Sequence, residues 1–242
     1  MVISFRGKLL KSKLITVFTN LVLVAVVLAV SFVGYLGGNT VAASNENSNL
    51  FYCAENGEGV SLMFNVYEHT DNVNKIMDIL DEYGVKSTFF IGGSWADDNV
   101  DCVRDIFRRG HEVASHGYFH KDHSAMSEEA NIEEIRPSVK LLNMICNTKI
   151  KLFAPPSGAF CEATLNACTS MGLRVIMWTR DTIDWRDKDA GLIYTRATKN
   201  LKAGEFVLMH PTDCTVEALP KILDYIRENG LSSVTVSYNL GE

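Results

Sequence analysis

The sequence predicts an α/β domain that is built on a parallel sheet and placed behind an N-terminal membrane segment. Short apolar runs alternate with helical patterns from residue 59 to the end, and several helical patterns end in a glycine. The first 43 residues differ in composition from the rest. With 47% hydrophobic residues in 242, the chain can bury a sizeable core, which excludes a disordered or disulfide-framed protein.

The N-terminal 43 residues predict a membrane anchor or an export signal. Four basic residues and no acidic residue precede a largely apolar run from Leu14 to Leu36. This run exceeds the roughly 7–15 residues of a signal-peptide core and reaches the ~20 that span a bilayer. Small residues at Val41 and Ala43 leave cleavage after Ala43 open. We expect a single-pass membrane protein with its domain outside the cytoplasm, or a secreted protein if it is cleaved.

The part beyond residue 43 is acidic, since it carries all 29 acidic residues. Phosphate recognition needs clustered positive charge, so we expect no nucleic-acid partner. We interpret residues 44–57 as a linker and residues 58–242 as one catalytic domain that acts as a monomer. The six cysteines form no C-x-x-C pair, which argues against a zinc ribbon and leaves disulfides open.

Strands and helices are predicted to alternate along the domain. The apolar, β-rich runs are Val60–Asn65, Ser87–Ile91, Glu112–Ala114, Ile150–Phe153, Arg174–Trp178, Phe206–Met209 and Ser233–Val236. The helical patterns are Asp71–Tyr83, Val100–Arg109, Glu128–Cys146, Glu162–Met171, Ala190–Asn200 and Val216–Asn229. Continuous apolar strands separated by helices indicate a parallel sheet covered on both faces, either closed as a barrel or open and doubly wound.

Polar residues follow the predicted strands at their carboxyl ends, where parallel α/β domains carry their chemistry. These residues are Asn65, His116, His120, Pro155, Pro156, Asp184 and His210.

The H-x3-H spacing of His116 and His120 places two imidazoles on one side of a turn. Their position on a polar loop after a strand favours a metal site over packed or solvated histidines, whereas His111 and His123 are interpreted as structural or solvated. A carboxylate beside an imidazole fixes its tautomer and favours its protonated form, as a general acid needs. Asp184 and His210 suit that role, and a loop cap and a packed histidine are the alternatives.

In order along the chain stand V-S-L-M-F-N, S-H-G-Y-F-H, F-A-P-P-S-G, W-T-R-D-T-I-D-W and F-V-L-M-H. In order and spacing these segments resemble the five motifs of the polysaccharide deacetylases (carbohydrate esterase family 4, the NodB-type domain). Flanking segments are most similar to the sporulation-type, membrane-anchored branch. The resemblance implies a distorted (β/α)7 barrel and a divalent metal, usually zinc. It also implies removal of acetyl groups from N-acetylated sugars of peptidoglycan or chitin-like polymers.

Site roles follow from the resemblance position by position. His116 and His120 match metal ligands, His210 matches the general acid, and Asp184 matches the carboxylate that tunes it. The substrate-binding positions are Trp185 and Leu208, which would wall the acetyl pocket, together with Pro155 and Pro156.

Two motifs depart from the family pattern. The family has two adjacent aspartates, a general base and a metal ligand, where this sequence has Asn65 and Val66. The arginine that pairs with the base is replaced by Ala154. A buried arginine without its carboxylate is an unpaired charge, so losing both groups costs less than losing one. An amide at position 65 cannot act as a base, but it can hold a water or a carbonyl.

Val66 leaves a metal without its third protein ligand. Glu68, His69 and Asp71 are the nearby candidates. Asp71 is explained by a helix start, and His69 by a solvated loop. Glu68 is therefore the predicted ligand.

Three hypotheses fit these residues. The first is a metal-dependent amide hydrolase with an altered base, and the second is an inactive carbohydrate-binding member that serves envelope assembly. The third is a different C–N hydrolase on the same scaffold. The retained histidines and Asp184 favour an enzyme, whereas Asn65 and Ala154 favour the binding module. We favour the deacetylase.

Overall fold

A computed structural model describes residues 49–242 together with three separate helical positions, Asn20, Val22 and Val24. The segment Asn49–Glu242 is one of two units into which the chain divides. Apart from those three positions, the predicted membrane segment Leu14–Leu36 lies outside the described residues. Among the residues that are described, none of the helices has both the length and the apolar character needed to cross a membrane.

The centre of the described domain is a sheet of eight strands in which all paired neighbours run parallel. The strands are β1 Leu50–Phe51, β2 Ser61–Val66, β3 Thr88–Ile91, β4 Glu112–Ser115, β5 Leu152–Phe153, β6 Arg174–Ile176, β7 Arg180–Asp181 and β8 Phe206–Met209. Their spatial order is β1-β6-β5-β4-β3-β2-β8-β7. The central strands β2, β3 and β8 are buried at every position, which explains their unbroken apolar runs.

Helices connect most of the strands. They are α1 Thr70–Glu82, α2 Gly93–Asp98, α3 Val100–Arg108, α4 Glu128–Cys146, α5 Glu162–Ser170, α6 Ala190–Thr198, α7 Asp213–Glu228 and α8 Val236–Asn239. The residues Ser127, Asp189 and Thr212 cap α4, α6 and α7 through side-chain oxygens, as these residue types do at helix starts.

The sheet curls into a half-barrel, so the predicted α/β barrel-like fold is confirmed. Beyond β1, Cys53 forms an antiparallel bridge with Glu205, and the Ala54 amide donates to the Gly204 carbonyl at 2.8 Å. Gly204 has a φ of 85°, and a Cβ there would lie 2.2 Å from the Ala54 carbonyl oxygen. Glycine is therefore required where the segment after β1 meets the residues before β8.

The strands separate two apolar regions. The outer core joins strand residues such as Leu62, Phe64 and Val66 to the covering helices. The inner core consists mainly of strand residues: Met63, Phe90, Ala114, Leu152, Ile176, Phe206 and Leu208. Since side chains alternate along a strand, Asn65 shares the inner face with Met63.

The predicted strand Ser233–Val236 is wrong. Ser233 forms only an isolated bridge with Val60, and Val236 begins α8. Thr235 caps this helix by accepting the Tyr238 amide at 3.3 Å. The helix cap formed by Thr235 outweighs the β propensity of Val234 and Val236.

The sequence did not predict several of the short elements. β1 lies inside the predicted linker 44–57, where its amides and carbonyls pair with β6. β7 has two residues, and α2 begins with Gly93. Elements this short show no measurable periodicity, so tertiary pairing defines them.

Candidate active site

Polar residues singled out in the sequence lie at one edge of the sheet, beyond the carboxyl ends of the strands. Asn65 lies near the end of β2, His116 follows β4, and His210 follows β8. β2 pairs with β8 on one side and with β3 on the other, and β3 pairs with β4. The three positions therefore lie along one edge of the sheet, the edge that carries the chemistry in parallel α/β domains.

The His116 imidazole is buried and held in one orientation. Its Nδ1 lies 2.8 Å from the carbonyl oxygen of Ala154. Since a carbonyl only accepts, Nδ1 carries the proton and Nε2 keeps its lone pair. Burial, followed by the neighbouring His120, lowers the pKa of His116 to about 3. The ring is therefore neutral and has a free nitrogen for a metal ion or a hydrogen-bond donor.

The structure brings His120 close to His116, as the H-x3-H spacing indicated. The two ring centroids are 5.1 Å apart, and the centroid of Tyr67 lies 4.9 Å from that of His120. Desolvation lowers the pKa of His120 as well. Two neutral imidazoles thus stand side by side.

The structure does not bring Glu68 into a ligand set with these histidines. Its side chain is 74% exposed and lies 3.9 Å from His69 Nε2. β2 continues through Val66, whose side chain packs in the outer core, so residue 68 falls beyond the strand in solvent. Within residues 49–242, no group of three His, Cys, Asp or Glu side chains is arranged to hold a metal ion.

The described residues therefore offer a divalent cation two imidazole ligands, His116 and His120. The three-ligand set implied by the family resemblance is not present among the described residues. Two imidazoles suit zinc and similar ions, but fewer protein ligands hold such an ion more weakly.

Asn65 carries an unsatisfied polar atom at this edge. It is 4% exposed, and its Oδ1 has no hydrogen-bond partner within the described part of the chain. A buried amide oxygen without a donor is costly, so this atom is suited to accept a hydrogen bond from water or from a substrate N–H. It cannot take up a proton as a general base does.

His210 and Asp184 form a close pair. His210 Nδ1 lies 2.7 Å from Asp184 Oδ1, and the His210 backbone amide donates to Oδ2 at 2.6 Å. The Asp184 side chain is fully buried, whereas that of His210 is 27% exposed. The carboxylate fixes the tautomer and leaves Nε2 of His210 free to meet a ligand.

Thr215 is a member of this site that the sequence did not indicate. Its hydroxyl donates to Asp184 Oδ2 at 2.6 Å. It stands in the first turn of α7, three residues after the N-cap Thr212, which accepts the Thr215 amide at 3.1 Å. The repeated threonine in T-D-C-T is the signal that could have found it.

Left-handed residues shape the loops of the site. His120, Ser157 and Ile183 each have a φ of 55°. Ile183 is β-branched, which makes this conformation unfavourable, and its amide donates to Asp181 Oδ1 at 2.8 Å. The turn at Ile183 places Asp184 beneath His210.

The predicted substrate-binding residues lie at different depths. Trp185 is 60% exposed, and the Arg186 guanidinium lies 5.9 Å from its ring centroid. Trp185 and Asp184 line a cavity of about 670 Å³ between the starts of α1 and α7. Leu208, by contrast, is 3% exposed in the inner core, and Pro155 and Pro156 are buried. Among these four residues, Trp185 is the surface available to a ligand.

Fold and site together define a parallel α/β half-barrel whose active edge carries two paired imidazoles and a histidine–aspartate dyad. Residues 54–176 match the family model of polysaccharide deacetylases. The chain belongs to the polysaccharide deacetylase family.

Curated relatives include an uncharacterised protein, YlxY, of Bacillus subtilis, which is 33% identical over 76% of this chain and 57% of its own length. A peptidoglycan-N-acetylglucosamine deacetylase of Bacillus cereus is 29% identical over 73% of this chain. The match covers 66% of that relative, so the chain spans less than two thirds of the length of both proteins.

Solved structures include BA3943 of Bacillus anthracis, described as a CE4 family pseudoenzyme, with 30% identity, 80% coverage of this chain, 69% of that chain and a TM-score of 0.77. A mutant of BA3943, described as a CE4 family pseudoenzyme with restored enzymatic activity, has a TM-score of 0.77 at 28% identity. The match covers 80% of this chain and 71% of the mutant chain.

Proposed function

We propose that this protein is an amide hydrolase that removes acetyl groups from N-acetylated cell-wall polysaccharide, peptidoglycan or chitin-like. The names of relatives as peptidoglycan-N-acetylglucosamine deacetylases support the reaction class. The observation that carries the proposal is the dyad, in which a buried Asp184 carboxylate holds the partly exposed His210 at 2.7 Å. A merely structural histidine would not need a buried carboxylate on Nδ1 while part of its side chain stays exposed.

Four residues of the chain would act in this reaction. His210 donates a proton from Nε2 to the leaving amine, and the proton that the attacking water loses restores the protonated ring, which Asp184 stabilises. Asn65 Oδ1 accepts a hydrogen bond from the attacking water or from the acetamido N–H. Trp185 provides a flat apolar surface at the cavity for a sugar ring.

We propose that the divalent metal, zinc in the family pattern, is held by His116 and His120. When bound, such an ion polarises a carbonyl oxygen as a Lewis acid. Nε2 of His116 is free for it because Nδ1 donates to Ala154. With two imidazole ligands we expect weak retention of the metal and slow turnover.

An inactive carbohydrate-binding role in envelope assembly is the second candidate. Asn65 cannot act as a base, and Val66 and Ala154 are both fully buried in apolar surroundings. The similarity to BA3943, described as a CE4 family pseudoenzyme, favours this candidate as well. Binding would still use the same edge and Trp185.

Acetate release by the full-length protein separates the two candidates. N-acetylglucosamine oligomers and peptidoglycan are incubated with the wild type, His210→Ala and the exposed control Glu133→Ala, with and without added zinc. Zinc-dependent acetate release that is lost in His210→Ala and kept in Glu133→Ala supports the hydrolase. Oligomer binding without acetate supports the binding module, and neither binding nor release contradicts both.

We also propose that the protein is associated with the membrane through Leu14–Leu36. The length and apolar character of this segment and the four cations before it support the proposal. Fractionation of cells that express the full-length chain tests it. Recovery of the whole chain in the soluble extracellular fraction would show cleavage and refute the anchor.

A further inference from the structure

Helix α4 carries a buried polar stripe that faces the loop between His116 and His120. The stripe consists of Asn131, Glu134 and Ser138, each at most 3% exposed in a helix whose other buried positions are apolar. Their spacing of three and four residues places them on one side of the helix. None of them belongs to a motif that the sequence indicated.

Glu134 holds the loop most directly. Its Oε1 accepts the backbone amides of Tyr118 at 3.0 Å and Phe119 at 2.5 Å. Its side chain is 2% exposed, and Lys121 Nζ is 3.9 Å from the second oxygen. Burying a carboxylate costs free energy, and two adjacent peptide N–H groups aimed at one of its oxygens offset that cost. The turn at Tyr118 and Phe119 is therefore an anion-binding turn whose anion is the Glu134 side chain.

The rest of the stripe holds residues on either side of this loop. Ser138 Oγ lies 3.0 Å from Ser115 Oγ, which in turn accepts the Gly117 amide at 3.3 Å. Asn131 Oδ1 lies 2.6 Å from His123 Nδ1.

Helix α2 holds the loop through two of the loop's carbonyl groups. The Gly93 amide donates to the Gly117 carbonyl at 2.8 Å, and the Ser94 amide donates to the Tyr118 carbonyl at 3.0 Å. The loop needs such support because Gly117 and His120 have φ values of 75° and 55°. Its peptide groups are therefore held by hydrogen bonds to both α2 and α4.

We propose that Glu134 is a positioning residue that sets the distance and orientation between the His116 and His120 imidazoles. It acts through the peptide groups of Tyr118 and Phe119 and does not touch the ligand. This inference rests on the proposed function for the use of the two rings, whereas the loop geometry stands without it. An apolar residue would fill the same space, but it would leave two partly buried amides without this acceptor.

Full-length wild type, Glu134→Ala, Glu134→Gln and Glu133→Ala test the proposal. Glu133 is the exposed neighbour on α4 and serves as the matched control. Amide hydrogen exchange is measured at residues 116–120, in β8 and in α4. Imidazole resonances are recorded by NMR, and zinc is titrated into each protein.

For Glu134→Ala we expect exchange at Tyr118 and Phe119 to be about tenfold faster, with β8 unchanged. Shifted resonances of both imidazoles and about tenfold weaker zinc binding are expected to accompany it. Glu134→Gln keeps an oxygen acceptor and should restore most of each effect, while Glu133→Ala should match the wild type.

Unchanged loop exchange and imidazole resonances in Glu134→Ala would overturn the proposal, as would equally faster exchange in β8, which would indicate a general stability effect. If the wild type binds no zinc, the proposed metal site fails. Loop exchange and imidazole resonances then decide the positioning role by themselves.

Discussion

Replacing Asp184 by asparagine is expected to change the tautomer of His210 while leaving the domain folded. In the wild type, Asp184 Oδ2 accepts two hydrogen bonds, from the His210 amide and from Thr215, while Oδ1 faces His210 Nδ1. In Asp184→Asn the amide oxygen takes the position with two donors. The NH2 group then faces Nδ1, which must become an acceptor, so the proton of the neutral ring moves to Nε2.

The magnitude follows from the charge that is lost. A hydrogen bond to a charged group contributes about 1.5–3 kcal/mol, and Asp184→Asn removes that support from the protonated His210. At about 1.4 kcal/mol for each factor of ten, acetate release should fall by about 10–150-fold. The free energy of unfolding should fall by only about 1–2 kcal/mol, because each donor keeps a partner.

NMR of 15N-labelled imidazoles reads the tautomer, and acetate release from N-acetylglucosamine oligomers reads the rate. Thr215→Val is the control, since it removes one donor from Oδ2 and keeps the contact with His210 Nδ1. It should preserve the tautomer and change the rate by less than about threefold. If Asp184→Asn keeps the proton on Nδ1, or if Thr215→Val has the same effect on the ring, the reasoning is wrong. The NMR result decides this even where turnover is slow.

Three further changes probe other parts of the molecule. His116→Ala should weaken the binding of added zinc by about tenfold or more, because one of two imidazole ligands is lost. Titration against His69→Ala checks this, and an unchanged affinity would place the metal elsewhere. Asn65→Asp and Ala154→Arg each add an unpaired charge at a buried position. The double variant should therefore release more acetate and be more stable to heat than the sum of the two single changes predicts, with a coupling free energy of about 1–3 kcal/mol. Coupling near zero in both measurements would show that the two positions do not meet. Burial lowers the pKa of His111 from 6.5 to about 4. Between pH 4 and 6.5 the unfolded chain therefore binds a proton at this residue that the folded protein does not bind. The free energy of unfolding should rise by up to about 3 kcal/mol as the pH increases from 4 to 6.5. His111→Phe should remove that rise in urea unfolding, and a wild-type slope in this variant would assign it to other groups.

The long elements of the fold were predictable because their patterns extend over many residues. The six predicted helices are all present, and the glycines Gly84, Gly110, Gly172 and Gly230 have the left-handed backbone expected after a helix. The short elements β1, β7, α2 and α8 were missed, since pairing with β6 or β8 forms β1 and β7 and no local periodicity does.

The candidate site could be predicted only where a residue type carries its own chemistry. His116, His120, Asp184 and His210 stand out as titratable groups after strands, and the structure places them as two close pairs. Glu134 could not be found this way, because a carboxylate in a helix reads as a solvated charge until its burial is known.

The alternation of side chains along β2 explains why Val66 and Asn65 have different consequences for the site. Val66 faces the outer core and adds apolar contact with the covering helices, so the loss of a ligand at this position is also a gain in packing. Asn65 faces inward, where it adds no apolar contact and leaves Oδ1 without a partner. An aspartate at position 66 in this backbone would place a charge in the outer core unless the end of β2 turned inward. The two positions are therefore not equivalent routes back to a complete site. A carboxylate at position 65 needs a partner for its charge, whereas one at position 66 requires the strand itself to change.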